Sequence, residues 1–432
     1  ILVLSFLLVI LTGTGFLLLP TSVVPTEKIS FIDALFTATS ATCVTGLVVV
    51  DTGSYLTRFG QIITLLLIQI GGLGLMTVTT FLMLIFGKDM SIRESILMSD
   101  ALNIKTLSRL SNLIIAILIM TFAFEAMGAL FLCVSWSDFE RFDHGSVLYY
   151  SIYHSISAFC NAGFSLFSNN LEDFRGNVIL NITMTSLIIF GGLGFAVIVN
   201  VVRSVILRRE KFSLHTKIVL TVTAALIIGG TLLILMTEWR NGLAGLPASI
   251  KVMASYFQSV TPRTAGFNTI NTSHLTYACY FLMIILMFIG ASPGGTGGGV
   301  KTSTIGIFLG FVWSILRGKS SVEIFKRTVP KDVVNNALLL IVLVLAILSV
   351  FGFILLLTQE GDPMHIFFEL FSAFGTVGLS AGITHHLTTL GKLIIIATMF
   401  IGRVGPLTLA LAVSQRRERG TYEYPDETVM VG

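Results

Sequence analysis

Four short segments of this 432-residue chain set glycine in a recurring context: SATCVTGL at 40–47, SAFCNAGF at 157–164, TPRTAGF at 261–267 and SAFGTVGL at 372–379. Each places a small or polar residue before Gly46, Gly163, Gly266 or Gly378 and a Leu or Phe after it. Glycine adopts backbone angles that other residues avoid, so a turn of this kind can aim successive carbonyls at one point. Rings of carbonyls replace the water shell of a cation, a chemistry that needs no reactive side chain. The four glycines are 117, 103 and 112 residues apart, so the unit that carries each turn is about 110 residues long.

A second motif follows each turn, its first glycine 24 to 28 residues beyond: IGGLG at 70–74, FGGLG at 190–194, IGASPGG at 289–295 and IGRVG at 401–405. The third extends to IGASPGGTGGGVKTS at 289–303, and a helix cannot run smoothly through Pro293, Gly294, Gly295, Thr296, Gly297, Gly298 and Gly299. GGGVKTS is close to a phosphate-binding loop, but Val300 separates Gly299 from Lys301 and no strand precedes it.

Charges inside apolar segments are costly and are functional candidates by default. Arg403 follows Gly402 where the last apolar helix is expected to break, and Lys301 ends the glycine-rich stretch, where it either has a functional role or only reaches the cytoplasmic headgroups. Arg263 adjoins the third turn; pointing inward it would repel a cation, so it is expected to face away and brace the loop. Glu125 and Glu369 are candidate counter-charges whose pairing the sequence leaves open. His154, His365, His385 and His386 have no second ligand at useful spacing, so no metal centre is expected. Cys43, Cys133, Cys160 and Cys279 read as small apolar residues. No nucleophile, acid–base pair or organic-cofactor site is evident, and the chain is not expected to be an enzyme.

The elements that must carry these turns follow from composition. Charged residues make up 12% of the chain and hydrophobic residues 54%, with a mean hydropathy of +0.90, which excludes a soluble globular enzyme. Long apolar runs at 1–20, 58–87, 109–134, 177–202, 216–237, 275–316, 333–358 and 390–414 alternate with runs too short to cross a bilayer at 31–42, 147–160, 249–260 and 364–374. The order long, short, long occurs four times. Residues 1–20 are expected to be a true span rather than a cleaved signal.

Cation bias orients the chain. With both termini inside, 17 Lys and Arg fall on the inner side, among them Lys88, Arg93, Lys105, Arg109 and the clusters at 203–217, 317–331 and 416–419; Lys28, Arg58, Arg141, Arg175, Arg240, Lys251 and Lys392 make 7 outside. The short runs then enter from the outer face, where Asp33, Asp51, Asp138, Glu172, Asp173 and Asp362 either concentrate cations or form a solvated rim. A net charge of +4 gives no nucleic-acid surface. Non-helical backbone at membrane depth must be buried or line a watery cavity, and four such turns round one axis would make a pore.

These repeats resemble the Ktr, Trk and HKT superfamily of potassium transporters along essentially the whole chain, most closely the eight-span membrane subunit of Ktr potassium uptake systems. The resemblance rests on the four turns, on residues 289–303 and on Arg403. It implies an all-α integral membrane fold with eight transmembrane helices and four re-entrant pore helices, in four parallel M1-P-M2 repeats around a pseudo-fourfold pore. The repeats would span 1–88, 105–209, 214–317 and 331–417, with a gating loop at 290–302 and a cytoplasmic tail at 418–432. It implies a potassium filter made by Val44, Thr45, Gly46; Asn161, Ala162, Gly163; Thr264, Ala265, Gly266; and Thr376, Val377, Gly378. One glycine per turn, where TVGYG has two, implies fewer well-formed carbonyl rings and looser selectivity. Gly46, where sodium-selective plant relatives have Ser, favours potassium. The implied gate comprises Gly290, Gly294, Gly295, Thr296, Gly297, Gly298, Gly299, Lys301 and Arg403, the arginine serving below the filter as a cationic barrier or a partner of the loop.

The implied activity is gradient-driven K+ uptake across the plasma (bacterial inner) membrane, with Na+ a second candidate ion. The implied partners are a second copy of the chain, a cytoplasmic nucleotide-binding ring of KtrA type that sets the gate, and membrane lipid. A rival reading is an ion-coupled secondary transporter of another solute working by alternating access; it calls for inverted repeats, whereas the four units here run parallel.

Overall fold

The computed structural model describes residues 2–74, 110–137 and 144–405. These form helices, with one small hairpin. In chain order they are α1 (Leu2–Leu17), α2 (Phe31–Thr42), α3 (Arg58–Leu73), α4 (Leu110–Trp136), α5 (His144–Phe159), α6 (Val178–Leu193), α7 (Phe195–Val201), α8 (Leu214–Glu238), α9 (Ala248–Val260), α10 (Tyr277–Phe288) and α11 (Thr302–Leu316). The hairpin β1 (Glu323–Ile324) and β2 (Arg327–Thr328) precedes α12 (Lys331–Thr358), α13 (Pro363–Gly375) and α14 (Thr389–Val404).

One sequence of elements recurs: a helix, a short buried helix, a turn, and a capped helix. The short helices α2, α5, α9 and α13 have 12, 16, 13 and 13 residues. At 1.5 Å per residue that is roughly 18–24 Å, short of the ~30 Å hydrocarbon core. The helix that follows each turn starts on a side-chain cap, because Thr57, Asn177, Thr276 and Thr388 each accept from the backbone N–H three residues on, at 3.3, 3.1, 3.3 and 3.2 Å.

The four sets close on one another. Among the described residues the four largest core patches each borrow from the next set. Tyr153 and Ala162 pack with Leu17 and Ala38; Phe257 and Ala265 with Phe159 and Met184; Phe368 and Val377 with Ile234 and Tyr280; and Phe36 and Leu47 with Leu348 and Phe374. The last of these contacts returns from the fourth set to the first, so the arrangement is a ring. Outward faces stay apolar, with Leu66, Ile119, Met236 and Phe353 each more than half exposed, as lipid contact requires.

Among the described residues three helices are long and apolar enough to cross a membrane, Ile114–Trp136, Leu214–Glu238 and Lys331–Thr358. A fourth span arises if Val178–Leu193 and Phe195–Ile206, bent 101° from one another, count as one. Of the long apolar runs, 177–202 needs correction as a single straight element, whereas breaks are expected within 275–316 and at Gly402. The helix α6 stops at Gly194 and α10 gives way to a loop at Ile289, while α3 and α14 end at Gly74 and Gly405, the last described residues of their segments; the φ values of Gly74, Gly194 and Gly405, 81°, 88° and 94°, cannot continue a helix. Close packing fixes these breaks. A Cβ on Gly71, Gly191 or Gly402 would lie 2.0, 1.9 or 2.0 Å from the carbonyl oxygen of Thr42, Phe159 or Phe374, at the end of the neighbouring short helix. Residues 75–109 and 406–432, which hold the expected repeat limits at 88, 105 and 417 and the tail at 418–432, lie outside the described residues.

Gly194→Ala tests the break. Its Cβ would sit 2.4 Å from the Pro293 oxygen on a left-handed backbone, a cost of about 1–3 kcal/mol. Thermal unfolding in detergent should show a lower midpoint, and an unchanged midpoint would rule out this packing.

Candidate functional site

Each turn follows the C-terminus of a short helix and is held by that helix. The N–H groups of Thr45, Ala162, Ala265 and Val377 donate to the carbonyls of Ser40, Ser157, Thr261 and Ser372 at 2.8, 2.7, 2.9 and 2.8 Å. The hydroxyls of the same four residues then reach past the glycine. Gly46 and Gly378 N–H donate to Ser40 and Ser372 Oγ at 3.1 Å each, while Ser157 Oγ and Thr261 Oγ1 donate to the Phe164 and Phe267 carbonyls at 2.9 and 2.5 Å. These bracing hydroxyls are positions that the sequence reading passed over, although all four turn motifs begin with Ser or Thr.

The backbone of the turns is left-handed at two of every three residues. Val44, Asn161, Thr264 and Thr376 have φ of 56°, 59°, 76° and 50°, and Gly46, Gly163, Gly266 and Gly378 have 93°, 69°, 78° and 90°. Holding four non-glycine residues there is costly and persists only where the surroundings impose it. The ring supplies that constraint. A Cβ on Gly46 would meet Ala162 O at 2.5 Å, one on Gly163 would meet Ala265 O at 2.8 Å, one on Gly266 Val377 O at 2.5 Å, and one on Gly378 Thr45 O at 2.2 Å. The structure thus brings all twelve turn residues together, in cyclic order, with a backbone oxygen of each turn against the glycine of another.

A cavity of about 190 Å3 opens on one side of this ring, lined by the four glycines together with Asp51, Glu172 and Asn268. Burial pushes the Glu172 carboxyl above its usual range, although the Asn268 amide donates to it at 2.9 Å. On the other side lies the loop between α10 and α11. Gly290 N–H donates to Val300 O at 2.9 Å and Ala291 N–H to Gly298 O at 3.2 Å, which folds the loop on itself. Gly298 N–H donates to Thr376 Oγ1 at 2.8 Å, and a Cβ on Gly297 would lie 2.0 Å from Thr264 Oγ1, so the loop abuts the third and fourth turns. It is tied to the second set as well. Ser292 and Thr296 N–H donate to the Gly192 and Gly191 carbonyls at 2.9 and 3.0 Å, and Phe195 N–H donates to Gly294 O at 3.1 Å.

Arg403 joins three sets. Its Nη1 donates to Thr296 O in the loop and its Nη2 to Gly71 O near the end of α3. Lys301 Nζ folds back to Gly297 O at 2.7 Å, a contact within the loop. Arg263 is buried and turns away from the ring, its Nη2 donating to Thr223 of α8 at 3.2 Å. The candidate counter-charges do not pair with these cations. Gln69 Nε2 donates to both Glu125 oxygens at 3.0 and 3.3 Å, Glu369 accepts from Thr384, and among the described residues neither Arg263 nor Arg403 forms an ion pair.

The chain is similar to known cation transport proteins along its length. The family model described as TrkH, a cation transport protein, matches residues 2–423. The Ktr system potassium uptake protein B of Bacillus subtilis is 42% identical, with 100% of this chain and 96% of that protein covered. The potassium/sodium uptake protein NtpJ of Enterococcus hirae is 40% identical, covering 99% of this chain and 96% of that protein. The crystal structure of the potassium transporter TrkH from Vibrio parahaemolyticus matches with a TM-score of 0.76 at 18% identity, over 95% of this chain and 83% of that one, a likeness of fold.

Ser40→Ala leaves the buried Gly46 N–H, and Ser372→Ala the half-buried Gly378 N–H, without its hydroxyl acceptor, which costs about 1–3 kcal/mol when the group is buried and less at Gly378. Both should lower the unfolding midpoint in detergent, and Ser→Thr at either site should recover part of the loss. Equal midpoints for Ala and Ser would show that the hydroxyls do not hold the turns.

Proposed function

On the premise that this chain belongs to the TrkH family of cation transport proteins, we propose that it is the pore-forming membrane component of a potassium uptake system. It is an integral membrane protein and not an enzyme. The observation that carries the reading is the closed ring of four left-handed turns, with a cavity on one side and the glycine-rich loop on the other. In this reading Val44-Thr45-Gly46, Asn161-Ala162-Gly163, Thr264-Ala265-Gly266 and Thr376-Val377-Gly378 turn their carbonyls to a dehydrated K+. The names of the relatives, potassium uptake and potassium/sodium uptake, support K+ as the ion and Na+ as a second one.

Four parallel repeats of two spans and one re-entrant helix, eight spans in all, surround the pore, with both termini in the cytoplasm and the chain in the plasma membrane. Transport is downhill: one charge moving inward gains about 2.3 kcal/mol per 100 mV of inside-negative potential, so the chain needs no hydrolysis of its own. The loop at 290–302 is the gate. Its contacts with the end of α3 through Arg403 and with Gly191 and Gly192 of α6 support this, because movement of either helix would pull on it. The Bacillus relative is named as one protein of a system, which supports a separate regulatory partner, here a cytoplasmic nucleotide-binding ring beneath a homodimer.

Uptake in a potassium-auxotrophic cell tests the filter. Gly46→Ser and Gly378→Ser put a side chain on left-handed backbone at about 1–3 kcal/mol, which corresponds to roughly five- to hundredfold in K+ affinity or K+/Na+ preference. No change in either quantity would sink the assignment. For the gate, Arg403→Gln frees the loop from α3 and should raise ion flux through the purified protein in vesicles; unaltered flux would remove Arg403 from the gate.

A further inference from the structure

The helix that continues from the glycine-rich loop ends in an unusual surface. The last turns of α11 expose Trp313 at 57% and Leu316 at 75%, and the Arg317 guanidinium lies over the Trp313 ring, 4.5 Å from its centroid. Beside them stands the β1–β2 hairpin, joined by a two-residue tip, Phe325 and Lys326, with φ of 52° and 61°. Such tips normally use Asn or Gly; a Phe and a Lys held left-handed are strained, and strain of this kind marks residues kept for what they present. Phe325 is 47% exposed and Lys217, from the start of α8, approaches its ring at 6.0 Å.

The hairpin is firmly seated. Val322, Val329 and Val334 are buried together against Ile307 and Phe311 of α11, and a Cβ on Gly310 would lie 2.6 Å from Ile324 Cδ1. Gly310, Trp313 and Arg317 follow at helical spacing, so the hairpin and the Trp313–Arg317 pair share one side of α11. The elements that meet here carry six cations: Lys217 at the start of α8, Arg317 and Lys319 after α11, Lys326 and Arg327 in the hairpin, and Lys331 at the start of α12. Among the described residues only Lys319 of these is ion-paired, to Glu323 at 2.6 Å.

Exposed aromatic rings interleaved with cations at the end of a membrane helix match the phosphate level of a bilayer, where rings sit among headgroups and Lys and Arg meet lipid phosphate. We propose that the end of α11 and the hairpin form a binding site for an anionic phospholipid of the cytoplasmic leaflet, its phosphate among Arg317, Lys326 and Arg327 and its acyl chains along Val312 and Leu316. An acidic protein surface would satisfy the cations but leave Trp313 and Leu316 in water. The leaflet rests on the orientation given under Proposed function, whereas the lipid chemistry rests on the patch alone. Since α11 runs on from Lys301, a lipid bound at its far end tethers the helix that carries the loop.

The test uses purified protein in neutral detergent, titrated with phosphatidylglycerol or phosphatidylcholine and followed by lipid retention in native mass spectrometry and by thermal unfolding. Phosphatidylglycerol should bind saturably and raise the unfolding midpoint; phosphatidylcholine and inorganic phosphate should not. Each cation near the surface contributes about 1 kcal/mol, so R317Q/K326Q/R327Q should bind roughly a hundredfold more weakly. The single variant Phe325→Asn, which suits the left-handed tip, should stay folded and weaken retention. Equal phosphatidylglycerol binding by the triple variant, or protection by inorganic phosphate alone, overturns the proposal, as does loss of co-purifying protein with lipid retention intact. Potassium uptake by the same preparations in vesicles is read separately, so a failed transport reading and a failed lipid site give different results.

Discussion

Backbone that leaves the helix inside a bilayer has no water to satisfy its N–H and C=O groups, and the rest of this structure follows from how that demand is met. At each turn the preceding short helix supplies both a carbonyl and a hydroxyl, from Ser40, Ser157, Thr261 or Ser372. The oxygens left over at the turns are crowded against the glycines of neighbouring turns, so they have few directions in which to point. Short helices, caps and core patches position these four irregular segments.

The same constraint recurs one layer away. Gly71, Gly191 and Gly402 let their helices touch the ends of α2, α5 and α13, and the helices end a few residues later at Gly74, Gly194 and Gly405. In the third set the helix opens into a loop, whose polar backbone is absorbed by the helix ends around it. Gly191 and Gly192 accept from it, and Arg403 binds one of its carbonyls together with Gly71 O. A guanidinium suits this place because its planar fork can serve a loop carbonyl and a helix carbonyl at once.

Much of this was legible in the chain. The four turns, the second glycine motif and the alternation of long and short apolar runs are periodic, and periodicity survives in one dimension. The breaks of the third and fourth sets were legible in Pro293–Gly299 and at Gly402, but that at Gly194 was not, because 177–202 is evenly apolar and hydropathy does not register a backbone angle. The partners of Arg403 and Arg263 were hidden for a different reason. Backbone carbonyls carry no sequence identity, so a search for carboxylate partners pointed to Glu125 and Glu369, which take Gln69 and Thr384 instead. The bracing hydroxyls were in plain view, but the third turn is one residue shorter and uses Thr261 five residues before its glycine where the others use Ser six before, which blurs the alignment.

All four turns belong to one polypeptide, so closure of their ring is an intramolecular event whose equilibrium does not depend on protein concentration, unlike a ring assembled from four separate chains. A single substitution then alters one wall of the ring once, where a true tetramer would take the same change four times over. Each quadrant is free to drift alone, and they have drifted: a cysteine precedes the first two turns, an arginine the third and a glycine the fourth. The ring is therefore flanked by four unlike residues, and its backbone alone keeps the symmetry.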